Sequence, residues 1–163
     1  MPIWIRASAF LIIAPGTIAG WLPWYIAGRK GLPSGDVRLS QWAGLLLIAA
    51  GWLVLLQCFR DFARSGGGTP APYDPPIALV TSGLYRFTRN PMYVGVVSAV
   101  VGQAAWFLSW PVLAYAIGVA VAFHLRVLIY EEPRLAASFG GEFVAYCARV
   151  PRWVLPRAAS RVT

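Results

Sequence analysis

Uncharged apolar runs divide the chain. No Asp, Glu, Lys or Arg lies between Arg6 and Arg29, and none between Arg38 and Arg60. A bilayer core takes about 20 apolar residues per helix, so these runs predict two membrane spans, 7–27 and 39–59. A third uncharged interval, Asn90 to Leu125, is too long for one span. Ser109-Trp110-Pro111 punctuates it, and proline favours a helix start, so it predicts a hairpin of two spans, 92–108 and 111–130. Pro15 and Pro23 predict a kink or a broken end in the first span. A cleaved signal peptide is the rival reading of that segment. Its apolar run is long for such a peptide and no clear small-residue cleavage site follows, so a retained helix is expected.

Beyond the spans, Leu135, Phe139, Phe143 and Tyr146 recur at helical spacing between Leu135 and Trp153. They predict an amphipathic helix that caps the bundle or covers a ligand. The expected fold is all-α. It is a polytopic integral membrane protein, one domain over 1–163, with four transmembrane helices and a short C-terminal cytoplasmic helix. Gly44, Ala50 and Gly51 allow close helix contacts in the second span, while the oligomeric state stays open.

Composition agrees with lipid as the solvent. The 163 residues are 58% hydrophobic and 12% charged, about half the charge of an ordinary soluble domain, and the mean hydropathy is +0.61. Arginine placement orients the layout. With both termini cytoplasmic, the inner side holds ten arginines, from Arg6 through Arg60, Arg86 and Arg89 to Arg161, against Arg29, Lys30 and Arg38 outside. Trp21, Trp24, Tyr25, Trp42, Trp106 and Trp110 then all fall at outer ends of spans, as an interfacial belt. The net charge of +8 is thereby explained by loops facing anionic lipid, and no nucleic-acid partner is expected. Cys58, Cys147 and the single His124 are too few and too scattered for a structural disulfide or a metal site.

Polar residues gather at span ends. Thr88 to Gly95, TRNPMYVG, sets Arg89, Asn90 and Tyr93 at the mouth of the third span, and Tyr130 to Pro133, YEEP, sets Glu131 and Glu132 at the end of the fourth. His124, Leu128 and Glu131 share one helix face. The hairpin brings these two clusters together. The 60–89 connection, with Gly66 to Gly68 and Pro70, Pro72, Pro75 and Pro76, starts on the same side. No Lys-Ser/Thr follows its glycines, which excludes the usual phosphate loop. The bland account pairs Glu131 and Glu132 with Arg126, Arg134 or Arg89 to seat the helix end, and makes His124 a hydrogen-bonded interior residue. The sharper one is a cytoplasmic pocket where a polar ligand meets a substrate dissolved in the bilayer.

The residues from 66 to 156 resemble the integral-membrane methyltransferases that include the isoprenylcysteine carboxyl methyltransferases and the phospholipid N-methyltransferases. The likeness rests on GLYRFTRNPMYVG, on YEEP about forty residues later, and on FGGEFVAYCARVPRW at the end. It implies S-adenosylmethionine as cofactor, with Tyr85, Arg89, Asn90, Pro91, Tyr93, Gly95, His124, Glu131 and Glu132 around it. It implies Glu131, Tyr93 and Arg89 as the catalytic set. The isoprenylcysteine branch reads RHPxYxG where this chain has Asn90, which takes no proton near neutral pH. The NPMY and YEEP pair is more similar to the phospholipid branch, whose GxG element is met by Gly66 to Gly68 or by position at Gly95 or Gly102. The implied acceptor is lipophilic and membrane-embedded, an isoprenylcysteine-like carboxylate, a phospholipid amine or another small acid, amine or thiol. Two alternatives stand beside this. The aromatic-Cys-x-x-Val-Pro ending is also similar to nicotinamide-dependent membrane sterol reductases, and a non-catalytic scaffold would need the polar mouth only for architecture.

Overall fold

The computed structural model describes residues 13–29, 36–65 and 78–153. Among these every regular element is helical. A π-helical turn, Thr17–Trp21, leads into α1, Leu22–Ile26. Helix α2 is Leu39–Ser65, a 3-10 turn covers Gly83–Arg86, α3 is Pro91–Trp106 and α4 is Trp110–Arg126. A second π-helical turn, Val127–Glu131, joins α4 to α5, Glu132–Arg149.

Two helices are long and apolar enough to cross a bilayer, Leu39–Phe62 within α2 and the joined helix Trp110–Arg149. At 16 residues α3 is shorter, rising about 24 Å. The part of the expected first span that is described, 13–27, is helical and buries Ala19 and Pro23, while 7–12 lie outside the described residues. Its irregularity is a change of pitch. Leu22 N–H donates to Thr17 O in the π pattern, and Pro23 has no N–H to give to Ala19 O. Side chains from other helices take up those carbonyls, Tyr115 Oη donating to Ile18 O at 3.0 Å and Gln103 Nε2 to Ala19 O.

Two expected boundaries are corrected. Helix α2 continues past Phe59 to Ser65, and no loop separates the expected fourth span from the C-terminal helix. Pro133 does not break the chain because it comes just after the π turn, which absorbs the change of register, as Pro23 follows the first one. The bend comes later, at Gly140 (φ 49°, ψ −123°), in the left-handed region that favours glycine.

Helices α2 and α3 run antiparallel in close contact. A Cβ added to Gly51 would lie 2.5 Å from Gly95 O, and one added to Gly44 would lie 2.6 Å from Gly102 O. The seven-residue spacing on each helix puts both glycines on one face. Gly44 and Gly51 are therefore used inside the chain, against α3. Gln41, buried at the start of α2, donates to Trp106 O at 3.0 Å, giving a partner to a carbonyl at the end of α3. Around this pair Leu55, Val96, Ala99, Val100, Val112 and Ala116 form the main core.

Gly51→Val should force the two backbones apart and destabilise the fold by about 1–3 kcal/mol. Gly118→Ala, whose added Cβ meets nothing within 4 Å, should change stability by less than about 1 kcal/mol. Denaturant unfolding of both variants in detergent measures this, and equal stability of the two would remove the close contact from the account.

Candidate functional site

The site is built on the start of α3. Pro91 occupies the first turn of the helix and is buried, with Asn90 as N-cap. The preceding 3-10 turn is held by Asp61 near the end of α2. Its buried carboxylate accepts from Leu84 N–H at 3.2 Å and from Gln57 Nε2 at 2.8 Å. Gly83 (φ 60°) lies so close that any added Cβ would collide with that carboxylate. Asp61 thus fixes Tyr85, whose carbonyl accepts from Tyr146 Oη of α5 at 2.7 Å. Burial pushes the Tyr85 phenol well above its ordinary pKa, so it stays protonated.

A cavity of about 310 Å³ opens here, near the lower end of the range of about 300–1,000 Å³ usual for small-ligand sites. Tyr85, Arg89, Asn90, Tyr93, Glu131 and Glu132 all line it, with Arg126, Tyr130 and Arg134. Glu132 lies between two arginines. Arg89 Nη1 is 2.9 Å from it, and Arg152 grips it through Nε and Nη2 at 2.8 Å each. Burial raises the Glu132 carboxyl pKa, but the Arg152 hydrogen bond and the charges of Arg89 and Arg152 more than offset this and hold it below the ordinary glutamate value. Glu131 accepts from Tyr93 Oη and from Arg126 Nε, the latter at 2.8 Å. Arg134 turns to Tyr130 Oη at 2.5 Å, and both Arg126 and Arg134 lie over the Tyr130 ring.

Arg89 is the unusual member. Its side chain is 9% exposed, and among the described residues its Nε is buried without a hydrogen-bond partner. A buried guanidinium N–H left unpaired is costly, and Arg89 carries that cost in the wall of the cavity.

Three of the expected site residues stand elsewhere. Gly95 faces Gly51 in the α2–α3 contact, and Gly102 faces Gly44; their helical backbone is committed to packing, which removes them as a cofactor loop. Pro91 shapes the turn without lining the cavity. His124 is not on the polar cavity but on a second, apolar one of about 480 Å³, where its Nδ1 accepts from Trp153 Nε1 at 3.2 Å. Tyr93 lines both cavities. One ring neighbour of Tyr93 is already Phe123, stacked at 4.2 Å. Asn90 Nδ2 donates to Arg152 O at 3.0 Å, so its role here is to hold the C-terminal segment. Gly66 to Gly68 and the prolines through Pro76 lie outside the described residues. Arg126 pairs with Glu131 as the bland account expected, while Asp61, Arg152 and Trp153 are the residues that sequence reasoning left without a role in the site. For Asp61 a signal existed, an acid one residue past the charge-free run.

The family model for phospholipid methyltransferases matches residues 39–142, and the chain belongs to that family. The chain is 38% identical over 77 residues to Protein-S-isoprenylcysteine O-methyltransferase B of Arabidopsis thaliana. That stretch is 47% of this chain and 39% of that relative. No solved structure matches the chain. These matches place the chain in a family of methyltransferases and favour neither the reductase nor the scaffold alternative.

The Glu132 network carries a pH signature. A glutamate whose folded pKa is depressed contributes stability above its unfolded value, about 4.3, and loses it as pH falls through the folded value. The stability difference between wild type and Glu132→Gln is expected to stay level from pH 7 to 5 and to shrink in more acid buffer. Thermal unfolding in detergent across that range tests it, and a difference that grows on acidification would contradict the pairing.

Proposed function

We propose that this protein transfers a methyl group from S-adenosylmethionine, held in the polar cavity beside Arg89, to a lipophilic acceptor that reaches the same point from the apolar groove. The supporting observation is the unpartnered Nε of buried Arg89, in a charged cavity that shares Tyr93 with an apolar one. The layout that goes with it has four spans, with both termini and the polar cavity on the cytoplasmic side, as the arginine distribution supports.

When bound, the cofactor supplies an electrophilic methyl group on a sulfonium. Arg89 would take its carboxylate with its guanidinium, and Glu132, by pairing with Arg89 and Arg152, keeps that group oriented. Tyr85, buried and protonated, lines the cavity with its ring while its hydroxyl pairs with Cys58 of α2. The apolar helices exclude water, and the reaction is chiefly one of alignment. For an amine acceptor the nitrogen must give up a proton as it gains the methyl group. Glu131, bonded to Tyr93 Oη at the junction, is the base that receives it. A carboxylate acceptor is already ionised and asks nothing of Glu131 but position.

Calorimetric titration of S-adenosylhomocysteine into detergent-purified full-length protein tests the reading. Arg89→Lys keeps the charge and removes the Nε donor, so affinity should fall about 10- to 100-fold, the worth of one charge-assisted hydrogen bond. NADPH is expected not to bind. Saturable NADPH binding with no response to S-adenosylhomocysteine would replace this reading with the reductase.

Glu131→Gln separates the acceptor classes. Turnover of a single-chain lipophilic amine such as lysophosphatidylethanolamine should drop about 100-fold or more, while turnover of N-acetyl-S-farnesylcysteine should change little. Equal losses on both acceptors, with cofactor affinity retained, would remove the proton-transfer role from Glu131.

A further inference from the structure

Residues 150–153 form a strap that bonds to Arg89, Asn90 and Glu132 of the polar cavity and sets Trp153 on the apolar one. Pro151 O accepts from Arg89 N–H at 3.0 Å, and Arg152 O accepts from Thr88 Oγ1 at 3.1 Å and from Asn90 Nδ2 at 3.0 Å. The Arg152 side chain is gripped by Glu132. The placement of the next residue, Trp153, is thus set by its neighbours' contacts with the first motif and does not depend on its own side chain. The indole is left to stand against His124, with Nε1 donating to Nδ1 at 3.2 Å and ring centres 5.9 Å apart.

That contact lies at one end of the apolar groove. The groove runs between α3 and α4, past Val94 and Val97 on one side and Ile117 and Val121 on the other. Tyr93 is in the first turn of α3 and His124 in the last turn of α4. Tyr93, His124 and Trp153 therefore mark its polar end, where it meets the charged cavity. Val97 and Ile117 lie one or two turns deeper, among apolar residues. Anything whose reacting group sits at Tyr93 and whose chain runs down the groove must pass the indole.

We infer that Trp153 is a specificity-determining residue that narrows the polar end of the groove to a single hydrocarbon chain, so that the acceptor is a one-chain lipophile and two-chain lipids are turned away. The inference rests on the proposed methyl transfer. A groove between only two helices offers one track, and a rigid indole pinned by a hydrogen bond removes the width that a glycerol backbone with two chains requires.

Photo-crosslinking of the full-length protein in phosphatidylcholine nanodiscs tests it with two probes, an S-prenylcysteine bearing a diazirine on its single chain and a phosphatidylethanolamine bearing one on an acyl chain. Labelling is read by mass spectrometry on peptides covering 93–98 and 117–124. The single-chain probe is expected to label these at least fivefold more than the two-chain probe in wild type. Trp153→Ala should bring the two within twofold of each other, while Trp153→Phe keeps most of the preference and S-adenosylhomocysteine affinity stays within twofold in both. A preference unchanged by Trp153→Ala would overturn the inference. So would absence of groove labelling by either probe in protein that binds S-adenosylhomocysteine, which leaves the functional reading standing. Folded wild type that binds no S-adenosylhomocysteine would overturn that reading and this inference with it. If Trp153→Ala does not fold, Trp153→Leu is judged by the same ratio.

Discussion

The approach of α2 to α3 at Gly44, Gly51, Gly95 and Gly102 is the constraint from which the site follows. Helices in lipid gain little from hiding apolar surface from each other, because the tails are as apolar as the side chains, so association rests on close packing. Backbone against backbone permits one register, since sliding α3 by a turn would put side chains where only hydrogen fits. That register sets the start of α3 beside the end of α2. Met92 packs against both the main core and the cluster of Cys58, Val80 and Tyr85, and Tyr93, next in sequence, turns to Phe123 of α4. Asp61 then anchors the 3-10 turn that leads in. One glycine contact and one buried carboxylate thereby aim the whole motif.

Charge at the edge of lipid is costly unless it is paired, and the pairing here is economical. Each of two carboxylates serves two partners, Glu132 with Arg89 and Arg152, Glu131 with Arg126 and Tyr93. The pairs also tie together distant parts of the chain. Arg89 belongs to the start of α3, Glu132 to the start of α5 and Arg152 to the strap beyond it. A cavity enclosed by segments so far apart in sequence has its walls joined by the same bonds that neutralise its charges. The Nε of Arg89, buried without a partner, is the exception.

Much of this was legible beforehand, and the misses have physical causes. Charge-free runs located α2, α3 and α4, and the hairpin logic that brought TRNPMYVG beside YEEP is met by Tyr93 bonding Glu131. The face of Leu135, Phe139, Phe143 and Tyr146 packs as one cluster with Val150. What could not be read was which glycines serve a ligand and which serve packing. Gly95 sits inside the motif and yet meets Gly51, and only the partner helix reveals that. The span expected to end at 130 runs on into the C-terminal helix, because Pro133, just after the π turn, does not interrupt it. Asp61 and Trp153 have no local periodicity to announce their part in the site, since Leu84 and His124, which they meet there, lie 23 and 29 residues away in sequence.

The two cavities meet at one side chain, and that relation bears on mechanism more than either cavity alone. A displacement at carbon requires the incoming and departing atoms to lie on opposite sides of it, so a polar donor and an apolar acceptor are best held in separate compartments that touch at a point. Tyr93 is such a point, half-buried, with its ring stacked on Phe123 at the groove and its hydroxyl bonded to Glu131 and Arg126 at the cavity. A smaller residue there would merge the compartments and admit water to the charged side. A larger one would part them. In the proposed reaction the tyrosine ring would be a partition whose position is set by its packing on Phe123 of α4, with its hydroxyl turned to the charged side.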